Sequence, residues 1–234
     1  MVNQAEHRQG GVSARGQPTT ERQALRFGLS PLELCLGFAN ILEARLSEHP
    51  TERLNSYGDL LAWARQRGIL TQREVEQLAE AAARRPAEAS AILYRAIELR
   101  EALYRIFSAV AGNRSPPPAD LTVLNAALAD ALVALRIAAT EDGFAWVWAQ
   151  GEDMLGRVPR LAVLSAADLL TSGELRAVRE CAAANCSWLF LDTTRNRRRR
   201  WCDMRVCGNR AKARRHYERK KRPAAAPASH SSHC

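Results

Sequence analysis

The sequence predicts a mainly α-helical fold with one β-hairpin, followed by a small C-terminal module organised around cysteines. Three observations support this fold class. Apolar residues recur every three or four positions over much of residues 29–174, and sequences typical of helix starts precede several of these runs. One segment changes to alternating apolar residues, which is typical of strands. Near the C-terminus, four cysteines form two pairs of equal spacing.

The chain begins with residues 1–28, which carry no apolar periodicity and which we interpret as a disordered lead-in. Ser30 and Pro31 then resemble a helix start, with Ser30 as the N-cap and Pro31 at the first position. The next apolar residues alternate up to Phe38, which would suit a strand. Apolar residues also recur at three or four positions, at Leu34, Phe38, Ile41 and Leu42. This spacing favours a helix that continues to about Leu46, and we expect the helix.

Capping boxes predict the next two helices, because each pairs a side chain before the helix with an acidic residue three positions later. The boxes and the predicted ends are Ser56 with Asp59, ending at Arg67 before Gly68, and Thr71 with Glu74, ending at Arg85. Pro86 then precedes the longest predicted helix, residues 87–111, in which the apolar residues form one stripe.

A change of period marks the predicted hairpin. After a helix over about residues 120–131, apolar residues alternate on both sides of the turn sequence at 141–143. The second half carries Phe144, Trp146 and Trp148 on one face, and we expect this aromatic face to pack on the helices. Helical spacing returns over residues 155–172, with Pro159 in the first turn.

Four cysteines near the C-terminus have the spacing C-x4-C-x15-C-x4-C, and they are Cys181, Cys186, Cys202 and Cys207. Each pair can close a small loop on one ion, and four thiolates match a tetrahedral site for structural zinc. The polar N-terminus lacks the apolar centre of a signal peptide, so we expect a cytoplasmic, nucleoid-associated protein. Reduced thiols there favour metal over disulfides, and the prediction is one zinc ion per chain.

The residues between and after the cysteine pairs predict the shape of the module. Residues 187–192 and 198–201 suit two strands of a second hairpin, joined by turn residues. Gly208 would let backbone amides point at the thiolates, and Asn209 would N-cap a helix that runs to Lys221. A knuckle, a hairpin and a helix with ligands at its start together resemble a treble clef.

We assign the module to residues 175–222 and expect it to have a small core of its own that depends on the metal. Residues 223–234 are a low-complexity Ala/Pro/Ser sequence, which we interpret as a disordered tail.

The positive charge of the chain lies in the cysteine module. Residues 181–222 carry 14 Lys and Arg against three acidic residues, a net charge of +11, whereas residues 1–180 carry 20 against 22, a net charge of −2. The alternative interpretation is a solvated surface helix. Because the final helix has so few acids with which to pair, we favour a polyanionic partner.

The nucleic-acid contacts follow from position in the module. Asn209 and Arg210 lie at a helix start, where side chains reach base edges in many DNA-binding proteins, while Arg214 and Arg215 are better placed for phosphates. We expect the arginines between the cysteine pairs to bind phosphates as well. The full candidate set is Arg195, Arg197, Arg198, Arg199, Arg200, Asn209, Arg210, Lys212, Arg214 and Arg215.

At this point the sequence resembles a known family. The string CDMRVCGNRAKARRH, from Cys202 to His216, resembles the bacterial CGNR zinc-finger family, and residues 181–192 match its first half. Upstream, FAN at 38–40, YGDLLAW at 57–63, LREALY at 99–104 and AADLL at 166–170 resemble the ABATE domain that accompanies this finger.

Such proteins are regarded as stress-related transcription regulators, so the resemblance implies that residues 29–174 form an ABATE-like domain for sensing or assembly. It also makes Asn40 a candidate ligand residue. Beside it the chain departs from the family, with Gly37 and Ile41 where an acidic residue and Thr are common.

We therefore expect a zinc-dependent, DNA-binding regulator. We expect no enzyme, because the chain has no metalloprotease, hydrolase or P-loop motif. Two alternatives stay open: an RNA-binding zinc protein, and a zinc-stabilised module that binds an acidic protein. A homodimer and a small-molecule effector also stay open. No apolar run approaches the length of a membrane span, so we expect no membrane partner.

Overall fold

The computed structural model describes residues 31–141, 143–149 and 154–221. Over these residues the chain forms helices and two small antiparallel sheets, so the mainly helical fold with a hairpin is confirmed. The helices are α1 (Leu34–Ala39), α2 (Tyr57–Gln66), α3 (Gln72–Arg84), α4 (Pro86–Ala111), α5 (Pro118–Val133), α6 (Arg157–Leu170) and α7 (Asn209–Lys221). The strands are β1 (Leu135–Thr140), β2 (Gly143–Trp148), β3 (Val178–Glu180) and β4 (Leu189–Leu191).

The predicted helix starts of α2, α3 and α4 are confirmed. Both capping boxes form in full: the Ser56 and Thr71 hydroxyls accept the amide hydrogens of Asp59 and Glu74, whose carboxylates accept in return. Gly68 follows α2 with a φ of 68°, a conformation that glycine adopts without strain. α4 begins at a proline in its first turn and is the longest helix described.

α1 is shorter than predicted. The helix ends at Ala39 rather than near Leu46, and the predicted N-cap at Ser30 lies outside the described residues. The chain then turns, with Ala44 at a φ of 53°, and Glu43 pairs with Thr51 through two backbone hydrogen bonds of 3.0 and 2.9 Å. The apolar spacing beyond Ala39 therefore reflects burial of Ile41 in an irregular loop, not continuation of the helix.

The core surrounds α4, which is the only one of the described helices that contributes buried side chains along more than five turns. Leu99, Leu103, Ile106 and Phe107 are fully or almost fully buried and pack with apolar residues of α1, α2 and α6. One buried hydroxyl joins α6 to the first helix: Ser165 accepts the amide hydrogen of Cys35 at 3.1 Å.

The β1–β2 hairpin projects from the helices. Its register pairs Leu135 with Trp148 and Ile137 with Trp146. Only the first of these pairs lies against the core, and exposure rises along the hairpin to 81% at Phe144. The expectation that the aromatic face packs on the helices is therefore confirmed for Trp148 at the base of the hairpin and wrong for Phe144 at its tip, while Trp146 between them lines a cavity with Ile69 and Leu161. Alternation predicted the strands but not what they contact.

The second sheet differs from the predicted one. β4 pairs antiparallel with β3, which precedes the first cysteine, and not with residues 198–201, which are not in a strand. The two faces of β4 separate as predicted: Leu189 and Leu191 point one way and Phe190 the other. Phe190 packs with the ligand cysteines, Trp188 and Trp201 in a small separate cluster, so the expected core of the module is confirmed for that face of β4. The two leucines instead join the core of the helices, so for the other face the expectation is wrong.

Within the described residues, no helix is both long enough and apolar enough to cross a lipid bilayer.

Candidate functional site

The four predicted ligand cysteines lie together. Their sulfur atoms are all within 4.8 Å of one another. The Sγ atoms of Cys186 and Cys202 are 3.6 Å apart, and those of Cys202 and Cys207 are 3.7 Å apart. A tetrahedral zinc site with Zn–S bonds of about 2.3 Å has edges of about 3.8 Å, so the donor set and its spacing fit one zinc ion.

Two different elements supply the ligand pairs. Cys181 follows β3 directly, and its amide donates to the carbonyl of Trp188 at 2.8 Å, which closes the knuckle that carries Cys186. Cys202 and Cys207 flank the start of the last helix, and the Cys207 amide donates to the Asp203 carbonyl at 3.0 Å. The first pair is thus presented by the sheet and the second by the helix start.

The thiols perturb one another strongly. A hydrogen bond from Cys202 lowers the pKa of Cys186 to about 5. The same bond raises the pKa of Cys202, because the thiol that donates keeps its proton, and burial raises the pKa of Cys207 to about 11. Four thiolates this close repel one another, and a divalent cation is the species that would hold all four deprotonated.

The start of the last helix is built by Asp203, which sequence reasoning missed. The Asp203 carboxylate accepts the amide hydrogens of Arg205 at 2.6 Å and Val206 at 3.1 Å, and caps a π-helical turn, Met204–Gly208, that runs directly into α7. Asn209 is therefore inside a continuous helix, and the prediction that it is the N-cap is wrong. Its side-chain amide donates to the Arg205 carbonyl at 3.0 Å.

Gly208 has a different role from the predicted one. Its amide donates to the Asp203 carbonyl at 3.1 Å and does not point at a thiolate. A Cβ atom at this position would lie 2.5 Å from the sulfur of Met204. The absence of a side chain therefore lets the Met204 side chain lie across the π-helical turn.

The predicted nucleic-acid residues fall into three groups. Arg199 is used inside the fold: its guanidinium donates to the carbonyls of Trp201 and Cys202 and lies 4.7 Å from the centre of the Phe190 ring. Arg197 lies 3.7 Å from Glu174. The remaining side chains are exposed, and they are Arg195, Arg198, Arg200, Asn209, Arg210, Lys212, Arg214 and Arg215.

Four of the exposed arginines lie around one cleft. Arg210, Arg214 and Arg215 from α7 and Arg200 from the loop before Cys202 line a space of about 460 Å³, with Trp201 among its walls. Arg198 and Arg199, which we expected to bind phosphates, do not line this cleft. The structure thus divides a uniform basic stretch into residues that share a cleft and residues that do not.

Asn40, the candidate ligand residue, is buried and hydrogen-bonded within the fold. It is 8% exposed, its Nδ2 donates to the Leu189 carbonyl at 2.8 Å, and its Oδ1 accepts the Leu189 amide hydrogen at 2.9 Å. Because both ends of the amide are engaged with one residue of β4, Asn40 joins α1 to the sheet that carries the first cysteine pair. Asn40 also lines a cavity of about 560 Å³ together with Gly37 and Trp63, and its contact with a ligand stays a prediction.

A second connection reaches the residue next to Cys181. The Glu180 carboxylate accepts hydrogen bonds from Tyr104 at 3.2 Å and Ser108 at 2.8 Å, both on α4. The guanidinium of Arg45 lies 4.0 Å from the centre of the Tyr104 ring. The spacing of Tyr104 and Ser108 along one helix face was visible in the sequence, but nothing there indicated which carboxylate they meet.

Asp192 closes the loop between the cysteine pairs. It is 1% exposed, and its carboxylate accepts hydrogen bonds from the amides of Thr194 at 3.0 Å and Arg199 at 2.8 Å. Burial disfavours the charged carboxylate, but these hydrogen bonds outweigh it and lower the pKa of Asp192. Neither Asp192 nor Asp203 forms an ion pair with Arg210 in the described part of the chain.

Comparison with known proteins adds two findings. The family model of the ABATE domain, described as "Putative stress-induced transcription regulator", matches residues 32–173, which is more than half of the 234-residue chain. The model of the CGNR zinc finger matches residues 177–220. No curated protein matches the chain.

Proposed function

The chain belongs to the ABATE family and carries a CGNR zinc finger, and from this premise we propose that it is a zinc-dependent, DNA-binding transcription regulator and not an enzyme. The observation that carries the proposal is the location of the charge. A net charge of +11 lies in residues 181–222, whereas residues 1–180 carry −2. Nucleic-acid binding proteins commonly concentrate positive charge on one module in this way.

The state of α7 supports the same conclusion. From Arg210 to Lys220 the helix carries six basic residues and one acid, and the ion pair between Arg214 and Glu218, at 2.9 Å, is its only one among the described residues. Apart from the π-helical turn before it, α7 has no extensive contact with another helix or strand of the described chain. A helix this basic and this free of packing gains most from a polyanion.

For the helical part we propose a regulatory role, by ligand sensing or by assembly. A cavity of about 540 Å³ lies between α4, α5 and α6 and supports the sensing role. Its apolar wall includes Ile92, Leu99 and Val123, and charged residues including Arg95 and Asp130 surround it. A cleft of this size, apolar with a few charged groups, suits a small organic ligand.

The proposal predicts salt-dependent binding that requires the metal. If the finger neutralises about six phosphates, log K for DNA falls with log salt at a slope of about −5. The measurement is fluorescence anisotropy of the zinc-loaded full chain with labelled duplexes drawn from its own genome, over a range of salt concentrations. Cys202→Ser, which removes a ligand, should abolish this binding.

A second experiment crosslinks the full-length protein to nucleic acid in cells and sequences the nucleic acid that is recovered with it. DNA fragments that cluster upstream of genes support a regulator. Recovery of transcripts alone indicates an RNA-binding protein, and absence of both, together with no binding in vitro, would contradict the proposed function.

A further inference from the structure

We propose that the finger holds a phosphodiester of its nucleic acid in the cleft between the first cysteine knuckle and α7, and not on the outward face of α7. The assignment of the phosphate to nucleic acid rests on the proposed function. The cleft itself rests on geometry alone.

The cleft has two walls of different character. One wall is the knuckle, where Ala182, Ala183 and Ala184 present small side chains. The other is the face of α7 that carries Arg210 and Arg214, which are one helical turn apart and so lie on one side of the helix. Because the three consecutive alanines are small, they leave open space beside the guanidinium groups of the two arginines. Longer side chains on the knuckle would fill that space.

Backbone and metal site hold the walls in place. The Ala182 amide donates to the Arg200 carbonyl at 2.9 Å, which ties the knuckle to the loop before Cys202. Trp201 lines the cleft and also packs against the cluster of ligand cysteines. Because both walls are attached to the same four-cysteine site, the cleft is formed before a ligand arrives, and binding does not need to order it.

The charges in the cleft select an anion. Four arginines line it against one acid, Glu218. Among the described residues, Arg200, Arg210 and Arg215 form no ion pair, and Arg214 uses its Nε for Glu218. Guanidinium groups bind phosphate oxygens through paired N–H donors, so this arrangement suits a phosphodiester. The guanidinium of Arg200 also lies 5.4 Å from the centre of the Trp201 ring, which orients it along this wall.

The opposite side of α7 lacks a second wall. Lys220 is exposed, does not line the cleft and lies on the other side of the helix by its position in the helical repeat, and Arg219 is likewise outside the cleft. These two residues carry the same charge as the cleft arginines on the same helix. They therefore serve as matched controls for a purely electrostatic effect.

The test compares single charge removals inside the cleft with single charge removals outside it. In the zinc-loaded full chain, Arg200→Gln and Arg214→Gln should each weaken duplex binding about tenfold at 0.15 M salt and reduce the salt slope by about one. Lys220→Gln should weaken it less than about threefold, because the field of one distant charge is screened. Arg219→Gln removes a charge that lies one turn beyond Arg215 and outside the cleft, and it should weaken binding less than either cleft variant. Glu218→Gln should strengthen binding, since it removes the one acid in the cleft.

Zinc content and far-UV circular dichroism should be unchanged in every variant, which separates binding from folding. Losses for Lys220→Gln as large as those for the cleft variants would overturn the inference while leaving the proposed function intact.

Inorganic pyrophosphate provides a probe that does not depend on DNA binding. In the full chain, it should shift the backbone amide resonances of Ala182–Ala184 more than those of Arg219 and Lys220. Larger shifts at Arg219 and Lys220 than at Ala182–Ala184 would contradict the proposed anion site in the cleft. If no duplex binds but pyrophosphate shifts the knuckle amides, the proposed function fails and the cleft stands as an anion site.

Discussion

At the scale of single residues, Asn40 has a structural role that the sequence did not reveal. An asparagine in a segment shared with a family of regulators suggested a ligand contact. In the structure its amide satisfies both backbone groups of Leu189, a residue that lies 149 positions away and is 2% exposed. Buried backbone groups need hydrogen-bond partners, so the sheet requires this asparagine.

Replacement of Asn40 should therefore reduce stability. Asn40→Ala leaves the amide and carbonyl of Leu189 buried without partners, and we expect the free energy of unfolding to fall by about 2–4 kcal/mol. Urea denaturation of the zinc-loaded protein measures this. Asn55→Ala, at an exposed asparagine, should change it by less than about 0.5 kcal/mol. Equal stabilities of the two variants would show that the side chain of Asn40 has no structural role.

A buried arginine provides a second residue-scale case. Arg100 is 2% exposed, and its terminal nitrogens donate to both carboxylate oxygens of Glu52 at 2.6 and 2.8 Å. Its Nε donates to Glu101 at 2.8 Å, and Glu101 also accepts from Arg45. Burial opposes ionisation of both glutamates, but the hydrogen bonds and charges of Arg100 and Arg45 outweigh it and lower the pKa of each. The network ties the loop around Glu52 to α4.

The sign of the resulting pH dependence follows from the lowered pKa values. The stabilisation by Glu52 and Glu101 is fully present above their ordinary pKa of 4.5 and is lost as pH falls through the lower folded values. Arg100→Met should cost about 3–5 kcal/mol at pH 7, since it leaves Glu52 without its arginine and Glu101 with Arg45 alone. The difference from wild type should shrink towards pH 3, as measured by urea denaturation at both pH values.

Metal loss at low pH affects both proteins and cancels in this difference. Arg84→Met removes an exposed arginine 3.8 Å from Glu80 and should have little effect at either pH. A difference between Arg100→Met and wild type that is independent of pH would indicate a packing defect alone.

At the scale of elements, local chemistry was predictable and pairing was not. The starts of α2 and α3 depend on residues three positions apart and that of α4 on a proline in its first turn, and the sequence predicted all three. The alternation in residues 189–191 predicted a strand and its two faces, but its partner was β3 and not the segment after the turn. A strand has no local signal for the strand with which it pairs, because that choice depends on burial against the rest of the fold.

The site divides in the same way. The spacing of the cysteines along the sequence predicted the four ligands, and their sulfur atoms lie together in the structure. The faces of α7 could not be assigned from the sequence, because the helix is basic on most sides and only the position of the knuckle distinguishes one side as a cleft. Asp203 was missed because the cap belongs to a π-helical turn, whose register differs from that of an α-helix.

Removal of the metal should separate the elements of the finger. In Cys202→Ser we expect loss of the zinc ion and of hydrogen-exchange protection over residues 203–220. The amides of Leu189–Leu191 should stay protected, because Val178, Leu189 and Leu191 belong to the helical core. Cys35→Ala changes a buried cysteine far from the cluster in sequence and should retain one zinc per chain. Loss of protection throughout β3 and β4 in Cys202→Ser would show that the metal, not the helical core, holds the sheet.

At the scale of the whole molecule, the boundary between the acidic and basic parts of the sequence does not coincide with the end of the packed core. The charge changes sign near Cys181, whereas the packed core continues through Leu191. The first knuckle therefore belongs to the helical body by packing and to the finger by chemistry. Glu180, with its bonds to α4, and Asn40, with its bonds to β4, both act at this overlap. A change of conformation in α1 or α4 would be felt first at this knuckle, which is also one wall of the basic cleft.

The overlap also has a consequence for the order of assembly in time. If the helical body folds first, it presents Cys181 and Cys186 as a half-site before any ion arrives, and the segment from Asp192 onward closes over the ion afterwards. A newly made chain in a zinc-poor cell would then be a folded body with an unanchored basic end, not an unfolded chain. We expect zinc scarcity to weaken the proposed binding to nucleic acid while the folded body stays protected from the proteases that degrade unfolded chains.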